Sequence, residues 1–114
     1  MDLTASIARI AGVCPPRERP FDGIDILRDI QRGRTPHKRT LFWRARRGER
    51  TWRALRDGSL KYITQKDGDS FDEFLFDLNL DPQEKTNLLA DRKRDAESLR
   101  RLLAKWESEV QPRR

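Results

Sequence analysis

Three glycine-centred turns in the middle of the chain constrain its fold more than any other feature of the sequence. Arg47-Gly48-Glu49, Asp57-Gly58 and Asp67-Gly68-Asp69 separate four short runs: Thr40 to Arg46, Thr51 to Arg56, Leu60 to Thr64 and Phe71 to Leu78. Each run is rich in aromatic and branched residues, which suit a pleated, half-buried surface. A glycine between two such runs accepts the positive φ that a tight hairpin needs. Strands joined by links this short must run antiparallel. The expectation is a four-stranded meander.

A sheet with one apolar face needs a cover. Asp91 to Val110 can supply it, because Leu99, Leu102, Leu103, Trp106 and Val110 recur on one helical face with Arg and Lys on the other. Pro112 ends that helix. At the amino end, Asp2 to Ala11 reads as a short helix with Leu3, Ile7 and Ile10 on one face, Asp2 or Thr4 as its cap and Gly12 as its stop. Pro15, Pro16 and Pro20 exclude helix or central strand in the segment that follows. Asp22-Gly23 turns the chain, and Ile24, Ile26, Leu27 and Ile30 suit a second short helix ending at Gly33. Residues 34–39 read as an exposed basic loop. Further on, Asp81-Pro82-x-Glu84 has the makings of a capping box, with Asn87 as a left-handed stop. Strand alternation sets Leu41, Trp43 and Ala45 against Phe42, Arg44 and Arg46, and Trp43 and Phe76 are expected in the core. The fold class is α+β: a four-stranded antiparallel sheet covered by a long carboxy-terminal helix, with short helices at the amino end.

The 114 residues leave room for one modest domain. Apolar residues make up 35% and charged residues 39%, so the core is small. Three Trp and five Phe nevertheless set the chain apart from a disordered one. One Cys excludes an internal disulfide framework and a Cys-based zinc site. No stretch has the length and apolarity to span a bilayer, and no membrane partner is expected. The acidic, amphipathic amino terminus is unlike a signal peptide, so the default expectation is a cytoplasmic chain if Met1 is the true start.

A net charge of +6 favours anionic partners. Arg32, Arg34, Lys38, Arg39, Arg44, Arg46, Arg47, Arg50, Arg53 and Arg56 are interleaved with Phe42, Trp43 and Trp52. The first reading is an arginine-rich sheet face with the aromatics in the core. The second is a rim for an anionic substrate, and the third is a nucleic-acid surface with stacked bases.

Six segments, in this order, resemble the tail of the sulfatase family. They are Leu3-Thr4-Ala5-Ser6-Ile7 with Ala11-Gly12-Val13; Asp22 to Leu27 with Gly33; and Arg39-Thr40-Leu41-Phe42-Trp43-Arg44. Then come Ala54-Leu55-Arg56-Asp57-Gly58 with Lys61-Tyr62; Phe74-Leu75-Phe76-Asp77-Leu78; and Asp81-Pro82-Gln83-Glu84 with Asn87-Leu88. The resemblance implies that residues 1–33 are the last helix of a main domain plus a linking segment, and that 34–114 are a carboxy-terminal subdomain. In complete sulfatases a formylglycine, a calcium ion and Lys and His groups of a large α/β domain hydrolyse sulfate esters, the cations stabilising charge on the sulfuryl oxygens. The resemblance places none of these here, so no catalytic residue, metal ligand or cofactor is expected in this chain.

Cys14-Pro15-Pro16-Arg17-Glu18-Arg19 partly imitates the Cys-x-Pro-Ser-Arg signature of formylglycine formation. Arg17 and Glu18 stand at the Ser and Arg positions, and the segment follows the first helix instead of opening a main domain. It reads as a coincidence around an ordinary thiol. Asp67, Asp69 and Asp72 lack the bidentate Glu of a calcium loop and read as a turn. His37 is the sole histidine, with no acid or nucleophile near it in sequence. With Lys38 and Arg39 it forms the one candidate binding group, an anion rim.

Three functions follow as expectations. The first is a carboxy-terminal portion of a sulfatase, inactive alone, whose partner is the main domain and which meets sulfated substrate only when assembled with it. Met1 is then an internal methionine. The second is the tail of a full-length sulfatase whose start has been misplaced. The third is a free-standing anion- or nucleic-acid-binding module.

Overall fold

The computed structural model describes residues 1–35 and 38–110, and the chain divides into two units, Met1–Lys38 and Arg39–Arg114. In the first unit, α1 (Asp2–Ile10) and α2 (Ile26–Gln31) are tied together through one hydroxyl. Ser6 Oγ donates to the Asp2 carbonyl at 2.8 Å and accepts from the Ile26 amide at 3.0 Å. Asp25 caps α2, its carboxylate accepting from the Arg28 amide at 3.1 Å.

The expected cap of α1 does not form. Met1 occupies the N-cap position, so Asp2 is already inside the helix, and its carboxylate accepts from the Ile24 amide at 3.2 Å. The chain passes closely here: a Cβ on Gly23 would stand 2.4 Å from the Met1 carbonyl oxygen. Ala5 and Ser6 form the buried side of α1, while Leu3, Ile7 and Ile10 are 59%, 59% and 68% exposed.

In the second unit, β1 (Leu41–Arg47), β2 (Arg50–Asp57), β3 (Leu60–Asp67) and β4 (Ser70–Asp77) pair antiparallel in sequence order, as the turns predict. Each link is two residues long and opens with a glycine of positive φ, such as Gly58 at +61°, followed by a residue without positive φ. That is the II′ arrangement, whose twist matches the flanking strands. The helix α3 (Lys93–Val110) lies over one face.

Beneath α3 one rung of the ladder runs Phe42, Leu55, Tyr62, Leu75. Leu55, Tyr62 and Leu75 are fully buried against Ala96, Leu99 and Leu103, and Phe42 stacks on Trp106 with ring centroids 5.1 Å apart. Trp43 departs from expectation. It shares a face with Phe76, but not the face that α3 covers, and it is 49% exposed. Phe76 is buried on that second face and stacks on Phe74. Both faces carry aromatics, so alternation separates the two sets without saying which one the helix takes.

Residues 81–87 also depart from expectation. No helix follows Pro82. The Asp81 carboxylate accepts from the Lys85 and Thr86 amides at 2.6 and 2.7 Å, and Glu84, at φ +55°, reaches Lys61 instead of turning back. The left-handed residue is thus Glu84, and Asn87 has a different role. Its Oδ1 accepts from the Leu75 amide at 3.0 Å, its Nδ2 donates to the Glu73 carbonyl at 3.1 Å, and the Leu88 amide donates to the Leu75 carbonyl. Asn87 therefore stands in for a fifth strand and closes the edge of β4, the position where an unpaired ladder invites foreign strands. Replacing Asn87 by Ala is expected to remove about 1–3 kcal/mol, since the Leu75 amide loses its acceptor; urea unfolding monitored by circular dichroism measures it. Among the described residues no helix is long and apolar enough to cross a membrane.

Candidate functional site

The covered sheet face changes from apolar to polar along its length. The rung after Phe42-Leu55-Tyr62-Leu75 is Arg44-Arg53-Thr64-Glu73, and the next one ends in Phe71. Over this end α3 presents Arg100, Leu103, Ala104 and Glu107, at the i, i+3, i+4, i+7 spacing of one helical face. A cleft of about 430 Å³ opens between helix and sheet.

Its walls are ion pairs. Arg100 clamps Glu73 in bidentate fashion, Nε to Oε1 at 3.0 Å and Nη2 to Oε2 at 2.8 Å, while its Nη1 donates to Glu97. The buried Tyr62 hydroxyl donates to the same Glu73 carboxylate. Hydrogen bonding from Arg100 holds the Glu73 carboxyl below the usual glutamate range, helped by Tyr62 and opposed by burial. Burial, followed by the Glu73 carboxylate, pushes the Tyr62 hydroxyl up to about 12. On the other wall Arg53 pairs with Glu107. The floor holds the Thr64 hydroxyl, only 5% of that residue being exposed, and its oxygen has no hydrogen-bond partner.

Of the predicted anion rim, His37 lies outside the described residues, Lys38 is exposed and Arg39 is half-buried. The basic run turns largely on its own structure. Arg46 and Arg56 donate to the carbonyls of Gly48 and Gly58, Arg50 pairs with Asp67, Arg53 with Glu107 and Arg34 with Asp29. Phe42 is packed on Trp106, which removes it from any stacking surface for bases. Cys14 is an exposed free thiol. Asp67 ends β3 and Asp69 sits in the hairpin loop. Among the described residues no three His, Cys, Asp or Glu side chains stand close enough to hold a metal ion.

The Tyr62–Glu73–Arg100 network was not visible in the sequence. Tyr62 and Glu73 share a sheet face only once the β3–β4 register is known, and Arg100 joins them only through the rotation of α3.

The chain, two short helices followed by a meander of four strands under one eighteen-residue helix, matches the carboxy-terminal region of solved sulfatases. The likeness extends over nearly all of this chain. A proposed sulfatase from Bacteroides thetaiotaomicron matches 95% of the chain at 26% identity and a TM-score of 0.72, and a 2-O GAG sulfatase matches 95% at 25% and 0.70. Ps i-CgsB, solved in complex with k-i-k-neocarrahexaose, matches 96% at 22% identity and a TM-score of 0.75, a likeness of fold alone. In each case the chain spans only 24% of the other protein's length. No protein-family profile matches the sequence, and no curated protein does.

Proposed function

We propose that this chain is the carboxy-terminal portion of a sulfatase-type sulfuric ester hydrolase and hydrolyses no sulfate ester by itself. The observation that carries the reading is the asymmetry of the match: about 95% of this chain against 24% of sulfatases. In this reading residues 1–33 are the end of the main domain and its link, and the partner is that main domain. The exposed ridge of Leu3, Ile7 and Ile10, with Val13 beside it, supports the idea, because contiguous apolar surface of this kind marks an interaction site. Catalysis belongs to the partner, which supplies calcium and formylglycine, and His37, Lys38 and Arg39 then line the rim that meets the sulfated substrate.

Incubated with p-nitrophenyl sulfate and calcium, the purified chain is expected to release no nitrophenol above background. Turnover that copurifies with the chain would overturn the reading. Translating the DNA upstream of the Met1 codon separates the two forms of the proposal. An open frame carrying Cys-x-Pro-Ser-Arg and an acidic metal cluster makes this the tail of a working enzyme, whereas interruption immediately upstream makes it a separately encoded domain.

A further inference from the structure

We infer that the open edge of β1 is a docking site for an extended acidic segment of another protein, which adds to the sheet as a further antiparallel strand. The two edges of this sheet differ. On β4, the outward amide of Leu75 and the outward carbonyls of Glu73 and Leu75 are met by Asn87 and Leu88. On β1, Arg47 and Arg50 close a hairpin, so Arg47, Ala45, Trp43 and Leu41 bond inward to β2. The amides and carbonyls of Phe42, Arg44 and Arg46 therefore point outward. Among the described residues no group bonds to them. Trp43 to Arg47 are all exposed, in a regular strand with neither proline nor bulge. An edge left open in this way is a template for another strand.

Charge decides what can pair there. The edge presents Arg44, Arg46 and Arg47, and among the described residues Arg44 and Arg47 have no ion-pair partner. A second copy of this chain is a poor occupant. Pairing two β1 strands over their whole length sets Arg44 against Arg44, and the register shifted toward the hairpin sets Arg44 against Arg46. Like charges directly opposite destabilise a sheet. The same arginines thus guard the edge against self-association and leave it open to the opposite charge. Across from Arg44 and Arg46, an incoming strand places acidic side chains on the face that α3 covers. Its alternate residues fall beside Trp43 and Ala45 on the other face, where an aliphatic side chain covers the exposed indole. The recognised segment therefore alternates Asp or Glu with Val or Ile. Main-chain bonds hold it and side chains select it. A nucleic acid satisfies the arginines but brings no row of amides and carbonyls to the edge.

The test is an NMR titration of the full chain, labelled with ¹⁵N, with the peptide acetyl-Glu-Val-Glu-Val-Glu-Val-Glu-amide. Saturable binding with a Kd on the order of 10–100 μM is expected, as suits one short added strand. At saturation the amides of Phe42, Arg44 and Arg46 should exchange with solvent about tenfold more slowly. Those of Leu41, Trp43 and Ala45, already bonded to β2, should not change. N-methylation of the Glu amides keeps the charge but removes the donors that face β1, and it should abolish binding. Arg44→Glu, a change at an exposed side chain, should weaken the acidic peptide about tenfold and favour its Lys-Val counterpart. Absence of binding overturns the proposal, as does binding that leaves the three amides unprotected. So does equal binding of the N-methylated peptide, or of the Lys-Val peptide to the unaltered chain. Protection of the same amides without peptide, in a dimer seen by sedimentation, would give the edge to a second copy. An oligothymidylate that binds more tightly than the peptide would give it to nucleic acid, and either result overturns the proposal. None of these outcomes bears on the sulfatase reading, which the p-nitrophenyl sulfate and upstream-frame experiments decide separately.

Discussion

Leu75→Ala is expected to lower the stability of the sheet-and-helix unit by about 3 kcal/mol, within the roughly 2–5 kcal/mol range of fully buried leucines. Leu75 is completely buried at the centre of β4 and packs in the cluster formed by Leu55, Tyr62, Ala96, Leu99 and Leu103. Its amide and its carbonyl are both held at the closed edge, by Asn87 and Leu88. The surroundings therefore have little freedom to collapse into the space a missing isobutyl group leaves, and the cavity term adds to the lost transfer energy. In a unit of this size 1 kcal/mol moves the midpoint by about 4–8 °C, so the melting temperature should fall by roughly 15 °C. Leu80→Ala is the control: that side chain is mostly exposed, and the change should stay within about 0.5 kcal/mol. Thermal unfolding by circular dichroism decides it. A shift for Leu75→Ala no larger than the control's would mean that the core does not lie under α3.

The sheet was legible in the sequence because its signals are local. Gly48, Gly58 and Gly68 fix three hairpins, and consecutive hairpins leave only one strand order. The helix over residues 93–110 was legible for the same reason, its apolar residues repeating without interruption. What escaped depends on how two elements meet. Trp43 and Phe42 are neighbours in one strand, and only the docking of Trp106 on Phe42 determines which of them is covered. Asp81-Pro82-Gln83-Glu84 carries every residue of a helix start. The pull of Lys61 on Glu84, together with the placement of Asn87 and Leu88 against Leu75, draws the segment along the sheet edge instead. A tertiary contact here outweighs a local propensity of comparable size, the usual outcome when the two differ by about 1 kcal/mol. The candidate site escaped more fully. Its members come from β2, β3, β4 and α3, and nothing in their spacing along the chain brings them together.

The phenol of Tyr62 is expected to ionise near pH 12, about a hundredfold harder than an ordinary tyrosine, and the chain should unfold as it does. Tyr62 is the sole tyrosine, so the ultraviolet absorbance of tyrosinate reports this one group without subtraction. Burial is the main cause, and the Glu73 carboxylate adds to it, since deprotonation would set two anions against each other across a hydrogen bond. The folded value is raised, so the stability from this group is fully present below about pH 10 and is lost as pH climbs through about 12. Glu73 works in the opposite direction. Its folded value is lowered, chiefly by Arg100, so its contribution is complete above the ordinary glutamate range and fades as pH falls through the depressed value. Glu73→Gln should therefore act at both ends. It flattens the acid limb of the stability profile and brings the phenol part of the way back toward 10, because burial remains while the neighbouring charge is gone and Arg100 stays beside the ring. Tyrosinate absorbance and far-ultraviolet circular dichroism recorded on one sample give both answers. Ionisation of Tyr62 below about pH 11 with the helical signal intact would show that the hydroxyl is open to solvent and not bonded to Glu73.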